Sequence, residues 1–180
     1  VVLCLQNGVE NEELIGGALG LDKVIRGTVT TAIGRRGLGD IVVERLRGLG
    51  IANESPLAPA LVDAFTAAGL NARLFENGKA MKWSKMLTNL PANATSAILN
   101  WTAAQVYIHK DVFHLEILLL QEALAVMTAQ NIPVINLPGT PAQALSWSTK
   151  IPEVISQPLL LRALGKGRGG KMPSFHIDLY

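Results

Sequence analysis

A row of amide and ammonium side chains distinguishes one stretch of the sequence, residues 82–97. Lys85, Asn89 and Asn93 recur at every fourth position. A helix turns by about 100° per residue, so the three side chains would lie on one face. Asn is a poor helix former, because its short amide competes for backbone hydrogen bonds. Two amides and one positive charge in a row are suited to holding an oxygen-rich small molecule.

The same stretch also fits an ordinary amphipathic helix. The opposite side of the predicted helix is apolar, with Trp83, Met86, Leu87, Leu90, Ala94 and Ala97. Lys82 and Ser96 join the polar side, and short patterns of this kind often occur by chance. Pattern alone therefore favours a helix without a site. Pro91 cannot donate a backbone hydrogen bond, so the helix either kinks there, or ends near Asn89 and restarts with Pro91 in its first turn.

The residues before this stretch alternate between strand-like and helix-like patterns. Residues 1–5 form a continuous apolar run, typical of a buried parallel strand, and end in the turn signal Gln6-Asn7-Gly8. Further patterns predict a helix at 9–19, strands at 23–33 and 41–46 paired as a hairpin, a helix at 55–68 and a strand at 71–75.

The residues after 78 are helical throughout. Residues 111–130 are apolar nearly all round, which predicts a helix buried on every side. Two more helices are predicted at 141–148 and 152–164. The predicted fold class is therefore α/β followed by all-α. The predicted domains are 1–76, part of a doubly wound sheet, and 77–180, a helical domain.

Composition limits the partners of this chain. Hydrophobic residues make up 49% and charged residues 17%, whereas soluble domains average about 25% charged. This apolar excess predicts faces that pack on another domain or on a second copy, as in a homodimer. A net charge of +2 and few aromatic residues indicate no nucleic-acid partner. The apolar runs are far shorter than the ~18 residues of a membrane span, so no membrane partner is predicted.

Two further features concern the compartment and the extent of the chain. The single cysteine, Cys4, cannot form an internal disulfide, which fits a reducing cytoplasm. The sequence opens inside a strand-like run without an initiating Met, and its end lacks a closing element. We therefore expect a piece of a longer protein.

Other motifs do not carry chemistry. Residues 165–170 match G-x-G-x-x-G literally, but they follow a predicted helix and lead to Pro173, whereas a dinucleotide fingerprint follows a strand. The three histidines, His109, His114 and His176, lack the spacing of metal ligands, so no metal site is predicted.

Three motifs together resemble the ketopantoate reductase (2-dehydropantoate 2-reductase) family. They are Gln6-Asn7-Gly8 after a strand, the pattern W-x-K-x-x-x-N-x-x-x-N from Trp83 to Asn93, and Ser174-x-x-x-Asp178. The resemblance covers essentially the whole chain. It implies the end of a Rossmann-like NADP-binding domain followed by a helical domain like that of 6-phosphogluconate dehydrogenase.

The resemblance also implies an activity and its residues. The family reduces the keto acid 2-dehydropantoate to pantoate with NADPH, in pantothenate and coenzyme A biosynthesis. Lys85 matches the catalytic lysine, which would stabilise the alkoxide and supply its proton. Asn89, Asn93 and Ser174 match substrate-binding residues, and Asn7 matches the asparagine beside the nicotinamide.

The resemblance leaves alternatives open. The family's glycine-rich fingerprint would lie before Val1 and its C-terminal glutamate after Tyr180, so these 180 residues alone are expected to be inactive. The substrate could be another branched 2-keto acid, or a 3-hydroxy acid as in related dehydrogenases. The chain could also be a non-catalytic helical module for dimerisation or binding.

Overall fold

The computed structural model describes residues 1–168, 172–173 and 175–176. They divide into two compact units. The first comprises Val1–Met86 and Ile132–Ala142, and the second comprises Leu87–Asn131 and the described residues from Gln143 onward. The division falls inside a helix, and the predicted domain boundary after residue 76 stays a prediction.

The first unit is an α/β structure built on a four-stranded sheet and a two-stranded hairpin. Its strands are β1 (Val2–Cys4), β2 (Val24–Val29), β3 (Ala32–Gly37), β4 (Asp40–Arg45), β5 (Leu49–Ala52) and β6 (Ala72–Phe75). Its helices are α1 (Asn11–Leu19), α2 (Ala58–Ala67) and the start of α3 (Gly78–Asn89). The sheet order is β1-β2-β5-β6, and the sheet is mixed, because β5 runs antiparallel to β2.

Strand β5 is the core of this sheet. Side chains alternate between the two faces of a strand, and here Leu49 and Ile51 join the apolar cluster that includes α2. Ala52 on the other face packs with Met81 of α3. A Cβ at Gly50 would lie 2.6 Å from the sulfur of Met81, so only glycine allows α3 to approach this closely.

Two predictions for this unit are corrected. The single strand predicted at 23–33 is divided, because Thr30 and Thr31 turn the chain and bond to the carbonyl of Gly48. The hairpin forms instead between β3 and β4, and residues 34–37, predicted as a turn, belong to β3. Strand β5 was not predicted, since four residues interrupted by Gly50 give a weak pattern.

The second unit is helical. It contains the end of α3, α4 (Asn93–Leu99), α5 (Ala103–Ile108), α6 (Lys110–Ala129), α7 (Ala142–Ser148) and α8 (Glu153–Arg168). Its core joins buried residues of α5 and α6, with Tyr107 and Phe113 in edge-to-face contact at 5.3 Å between ring centroids. Helix α8 continues beyond its predicted end at residue 164 as far as Arg168, so the described part of the literal G-x-G-x-x-G belongs to this helix and does not follow it.

Helix α6 is not buried on every side, contrary to the prediction. Phe113, Ile117 and Leu120 are buried, whereas Leu115 is 62% exposed and Leu118 is 44% exposed. The reason is that α5 and α8 pack in the core with one side of α6. By length and composition alone α6 could cross a membrane, and 28% of its most apolar window is buried. This is weak evidence, because core helices of soluble proteins pass the same test.

Candidate functional site

The turn after β1 holds Asn7 in an exposed position. The main-chain oxygen of Asn7 accepts a hydrogen bond from the side-chain amide of Asn11, the first residue of α1, at 2.7 Å. Gly8 has φ +105°, and a Cβ there would lie 2.9 Å from the same amide nitrogen. The turn therefore depends on glycine both for its backbone angle and for the space that Asn11 fills.

A lysine and a glutamate are buried directly beside this turn. Lys82 of α3 is 3% exposed and Glu12 of α1 is 1% exposed, and their charged atoms lie 2.8 Å apart. The ammonium group of Lys82 also donates to the carbonyl oxygens of Gln6 at 2.5 Å and Gly27 at 3.2 Å. The sequence pattern placed Lys82 on the polar side of the helix with Lys85, but Lys82 is buried against the carbonyls of Gln6 and Gly27 and the carboxylate of Glu12.

Two titratable groups close to the Lys82–Glu12 pair, the Cys4 thiol and the Glu13 carboxyl, have shifted pKa values. Burial raises the pKa of the Cys4 thiol, and the nearby carboxylate of Glu12 adds to the rise. The thiol is therefore protonated at neutral pH and a poor nucleophile. Burial alone would raise the pKa of Glu13, but its hydrogen bond to Arg26 at 2.7 Å holds that pKa below its usual value. Arg26 also pairs with Glu54 at 2.9 Å.

Lys85 and Asn89 lie one turn apart on α3 and are both half-buried. Side chains at i and i+4 share a helix face, so the lysine and the first amide of the predicted row do lie together. Lys85 follows Lys82 by three positions, and residues with this spacing are neighbours on the surface of a helix. The residue of α3 that contacts the turn after β1 is Lys82.

The predicted long helix is divided at Pro91. Helix α3 ends at Asn89 and α4 begins at Asn93, so the predicted end and restart are confirmed. Pro91 lies before Ala92, the residue that precedes α4, and its predicted place in the first turn of the new helix is therefore wrong. Ala92 has φ 56°, an unusual left-handed conformation for a residue with a Cβ. Glu116 of α6, 1% exposed, accepts a hydrogen bond from the backbone N–H of Ala92 at 2.6 Å and one from the hydroxyl of Thr95.

Asn93 is the first residue of α4 and is half-buried. Its side-chain oxygen accepts a hydrogen bond from the backbone N–H of Phe175 at 3.4 Å. Ser174 and Asp178 lie outside the described residues, but Phe175 is the neighbour of Ser174 in the sequence. Ser96, predicted on the polar face of the row, is instead fully buried.

The residues around Asn7 fit the nicotinamide end of a dinucleotide rather than its phosphates. Ligands of α/β sheets bind beyond the carboxyl ends of the parallel strands, and Asn7 follows β1 at that edge. Its amide can both donate to and accept from a carboxamide. The first turn of α1 carries Glu12 and Glu13 and no basic residue, so carboxylates already match the positive end of its helix dipole. Among the described residues, no three His, Cys, Asp or Glu side chains are grouped as metal ligands.

Sequence reasoning missed three of the residues that shape these turns: Glu12, Lys82 in its buried position, and Glu116. Glu12 lies in the first turn of α1, where the helix dipole also favours a negative charge. A signal existed for Glu116, since it is an acidic residue in an otherwise apolar helix. Such a residue is nearly always paired when buried, but the sequence does not say with what.

Two sequence profiles of one family match successive parts of the chain. The profile described as ketopantoate reductase PanE/ApbA matches residues 1–53, and the one described as ketopantoate reductase PanE/ApbA C terminal matches residues 77–152. Together they cover well over half of the chain.

The chain is also similar to individual proteins. The 2-dehydropantoate 2-reductase of Streptococcus pyogenes serotype M3 is 26% identical over 138 residues, which are 73% of this chain and 44% of that protein. The chain thus spans less than half the length of the curated relatives it matches.

Two solved structures show the same fold. The structure of 2-dehydropantoate 2-reductase from Geobacter metallireducens GS-15 has a TM-score of 0.72 and 21% identity, covering 98% of this chain and 55% of that one. A ternary structure of D-mandelate dehydrogenase with NADH and anilino(oxo)acetate has a TM-score of 0.66 and 17% identity, covering 99% and 64%. These similarities confirm an α/β unit followed by a helical one.

Proposed function

Since this chain belongs to the ketopantoate reductase PanE/ApbA family, we propose that it forms part of an enzyme that reduces 2-dehydropantoate to pantoate with NADPH. The observation that supports this most is the arrangement of α3. Lys85 lies one turn after Lys82, whose ammonium group contacts the carbonyl of Gln6 next to Asn7. This spacing supports a proton donor close to an amide that suits a nicotinamide.

The proposed roles follow from the chemistry of each side chain. NADPH, when bound, supplies a hydride to the ketone carbon. Lys85 donates a hydrogen bond to the ketone oxygen, stabilises the negative charge that develops there and gives its proton to the alkoxide. Asn89 and Asn93 hold the hydroxyl and carbonyl groups of the substrate, and Ser174 contacts its carboxylate. Asn7 orients the nicotinamide.

Replacing the proposed acid tests this function. In the protein at its natural length, Lys85→Ala should lower kcat by about 10²- to 10⁴-fold, because general acid catalysis of this kind contributes that much. Turnover is measured as NADPH oxidation with 2-dehydropantoate. The matched control is Lys79→Ala, which removes an exposed lysine from the same helix.

The outcomes separate the proposal from its alternatives. If Lys85→Ala retains full turnover, Lys85 is not the acid. If the wild-type protein at natural length binds no nicotinamide cofactor in a fluorescence titration, the enzymatic proposals fail together and a non-catalytic helical binding module remains. A cofactor that binds while only 3-hydroxy acids react would indicate the related dehydrogenase class.

The substrate within the class of 2-keto acids is a separate question. A second candidate is another 2-keto acid, because the fold also occurs in D-mandelate dehydrogenase. A panel should therefore contain 2-dehydropantoate, smaller branched 2-keto acids and phenylglyoxylate, the ketone that corresponds to mandelate. We expect the highest kcat/KM for 2-dehydropantoate, since Asn89 and Asn93 supply donors for its extra hydroxyl group. A higher value for phenylglyoxylate would favour the second candidate.

Two further proposals concern the state of the protein. The 180 residues alone should show no turnover, because this sequence contains no glycine-rich turn between a strand and a helix, the usual site for the pyrophosphate of a dinucleotide. An assay of the purified 180-residue chain tests this, after its intact mass has been compared with 19.2 kDa. We also propose a homodimer that covers the exposed apolar side of α6, which light scattering tests.

A further inference from the structure

A buried ammonium group lies where the pairing of two parallel strands ends. The last paired residues of β1 and β2 are Cys4 and Arg26. Beyond them Lys82 donates to the carbonyls of Gln6 and Gly27, one from each chain segment. Lys82 therefore joins the two segments beyond the last paired residues of β1 and β2.

We propose that the buried Lys82–Glu12 pair positions the Gln6–Asn7 peptide and, through it, the nicotinamide end of the cofactor. The carbonyl that Lys82 holds belongs to the peptide that leads into Asn7, so its orientation sets where the asparagine side chain begins. The part of this inference that concerns the cofactor rests on the function proposed above. The part that concerns the turn stands on the contacts alone.

The roles of the two side chains differ. An ammonium group has three N–H donors. Lys82 donates to the carbonyls of Gln6 and Gly27, and its charge lies 2.8 Å from a carboxylate oxygen of Glu12. Lys82 is therefore a positioning residue, and the substrate is left to Lys85. Glu12 supplies the opposite charge that a buried ammonium needs. Glu12 acts on the turn through Lys82, and the ion pair also joins the first turn of α1 to α3.

Stability alone does not account for the pair. Replacing both members of a buried ion pair by apolar residues of similar size is often neutral, whereas removing one member leaves an uncompensated charge. The double variant Lys82→Met/Glu12→Leu should therefore have an unfolding midpoint close to that of the wild type. Any defect that remains in it must come from the lost bonds to the two carbonyls.

The first readout needs no cofactor. Cys4 is 3% exposed and adjacent to the turn, so a thiol reagent reaches it only when this region opens. In the double variant we expect labelling of Cys4, followed by peptide mass spectrometry, to be about tenfold faster. The matched control is Thr30→Val, which also removes a buried donor to two carbonyls, those of Gly48 and Pro138. Its labelling should stay within about twofold of wild type.

The second readout uses NADPH and the protein at its natural length. The double variant should raise the KM for NADPH by about tenfold and leave the KM for the keto acid within about twofold. A merely structural pair would leave both constants unchanged once the unfolding midpoint has recovered.

The results decide between the inference and its premise. Wild-type labelling of Cys4 in the double variant, or equal acceleration in Thr30→Val, would overturn the inference. If the wild-type protein binds no nicotinamide cofactor, the proposed function fails, and Cys4 labelling still decides whether the pair holds the turn. Faster labelling together with an unchanged KM for NADPH would restrict Lys82 to the turn and overturn its effect on the cofactor.

Discussion

Two buried glutamates, one in each compact unit, stabilise the backbone next to a proposed site residue in different ways. Glu12 in the first unit is paired with Lys82, and the lysine makes the contacts with the turn before Asn7. Glu116 in the second unit has no ion-pair partner among the described residues and itself contacts the N–H of Ala92 and the hydroxyl of Thr95, just before and after Asn93.

The difference follows from the chemistry of the backbone at each turn. The turn after β1 presents carbonyl oxygens, which need a donor, and a donor with a full charge needs a buried counter-ion. The break before α4 presents the N–H of Ala92 and the hydroxyl of Thr95. A carboxylate can accept hydrogen bonds from both directly. The position before α4 is occupied by Ala92, which has no side-chain oxygen, and Glu116 of α6 accepts a hydrogen bond from the N–H of this residue.

The largest expected effect is a loss of unfolding free energy, which should differ between the variants of Glu12 and Glu116. Glu12→Gln leaves the charge of Lys82 buried and unpaired, and should cost about 3–5 kcal/mol of unfolding free energy. Glu116→Gln keeps one acceptor oxygen and should cost about 1–3 kcal/mol. Urea unfolding measures both, with separate midpoints if the units unfold separately. An equal or larger cost for Glu116→Gln would contradict the comparison.

The backbone of the first turn gives an effect of intermediate size. Gly8→Ala places a Cβ at φ +105° and close to the amide of Asn11, and should destabilise the protein by about 1–3 kcal/mol. The control is Gly17→Ala, since Gly17 lies in α1 with nothing within 4 Å of its Cβ position. That variant should gain about 0.5–1 kcal/mol from helix propensity. A neutral Gly8→Ala would show that the turn adapts.

The smallest effect concerns the exposed neighbour of Glu12. The pKa of Glu13 is lower in the folded protein, where Arg26 binds it, than its ordinary 4.5. A lowered carboxyl pKa gives stability that is complete above the ordinary value and disappears as the pH falls through the folded value. Unfolding midpoints from pH 6 to pH 3 should therefore fall less in Glu13→Gln than in wild type. Identical slopes would exclude a contribution from this pair.

Much of the fold could be predicted from local patterns. The apolar run at residues 1–5 became β1, the acidic segment after Gly8 became α1, and Pro91 ended α3 near Asn89, because each signal acts within a few residues. The sequence did not predict β5, because Gly50 weakens the pattern of this strand. The glycine is explained by Met81 of α3, whose sulfur would lie 2.6 Å from a Cβ at this position. The break of the strand predicted at 23–33 depends likewise on a distant residue, Gly48.

The candidate site divides in the same way. Lys85 and Asn89 share a face because the helical repeat alone decides this, and the spacing of Asn93 was visible in the same row. The repeat could not show that Lys82, three positions before Lys85, is buried with Glu12, nor that Ser96 is buried. Both depend on which surface α3 and α4 meet after folding.

The sequence by itself determined the order of elements, the class of the fold and the row of groups that could do chemistry, because propensity and spacing are local properties. Only the tertiary structure decided which charges are buried and what they hold. Burial brings together residues far apart in sequence, such as Gln6 and Lys82 or Ala92 and Glu116. A charge removed from water needs a partner inside the protein. Glu12 meets this need by pairing with Lys82, and Glu116 meets it by accepting hydrogen bonds from Ala92 and Thr95.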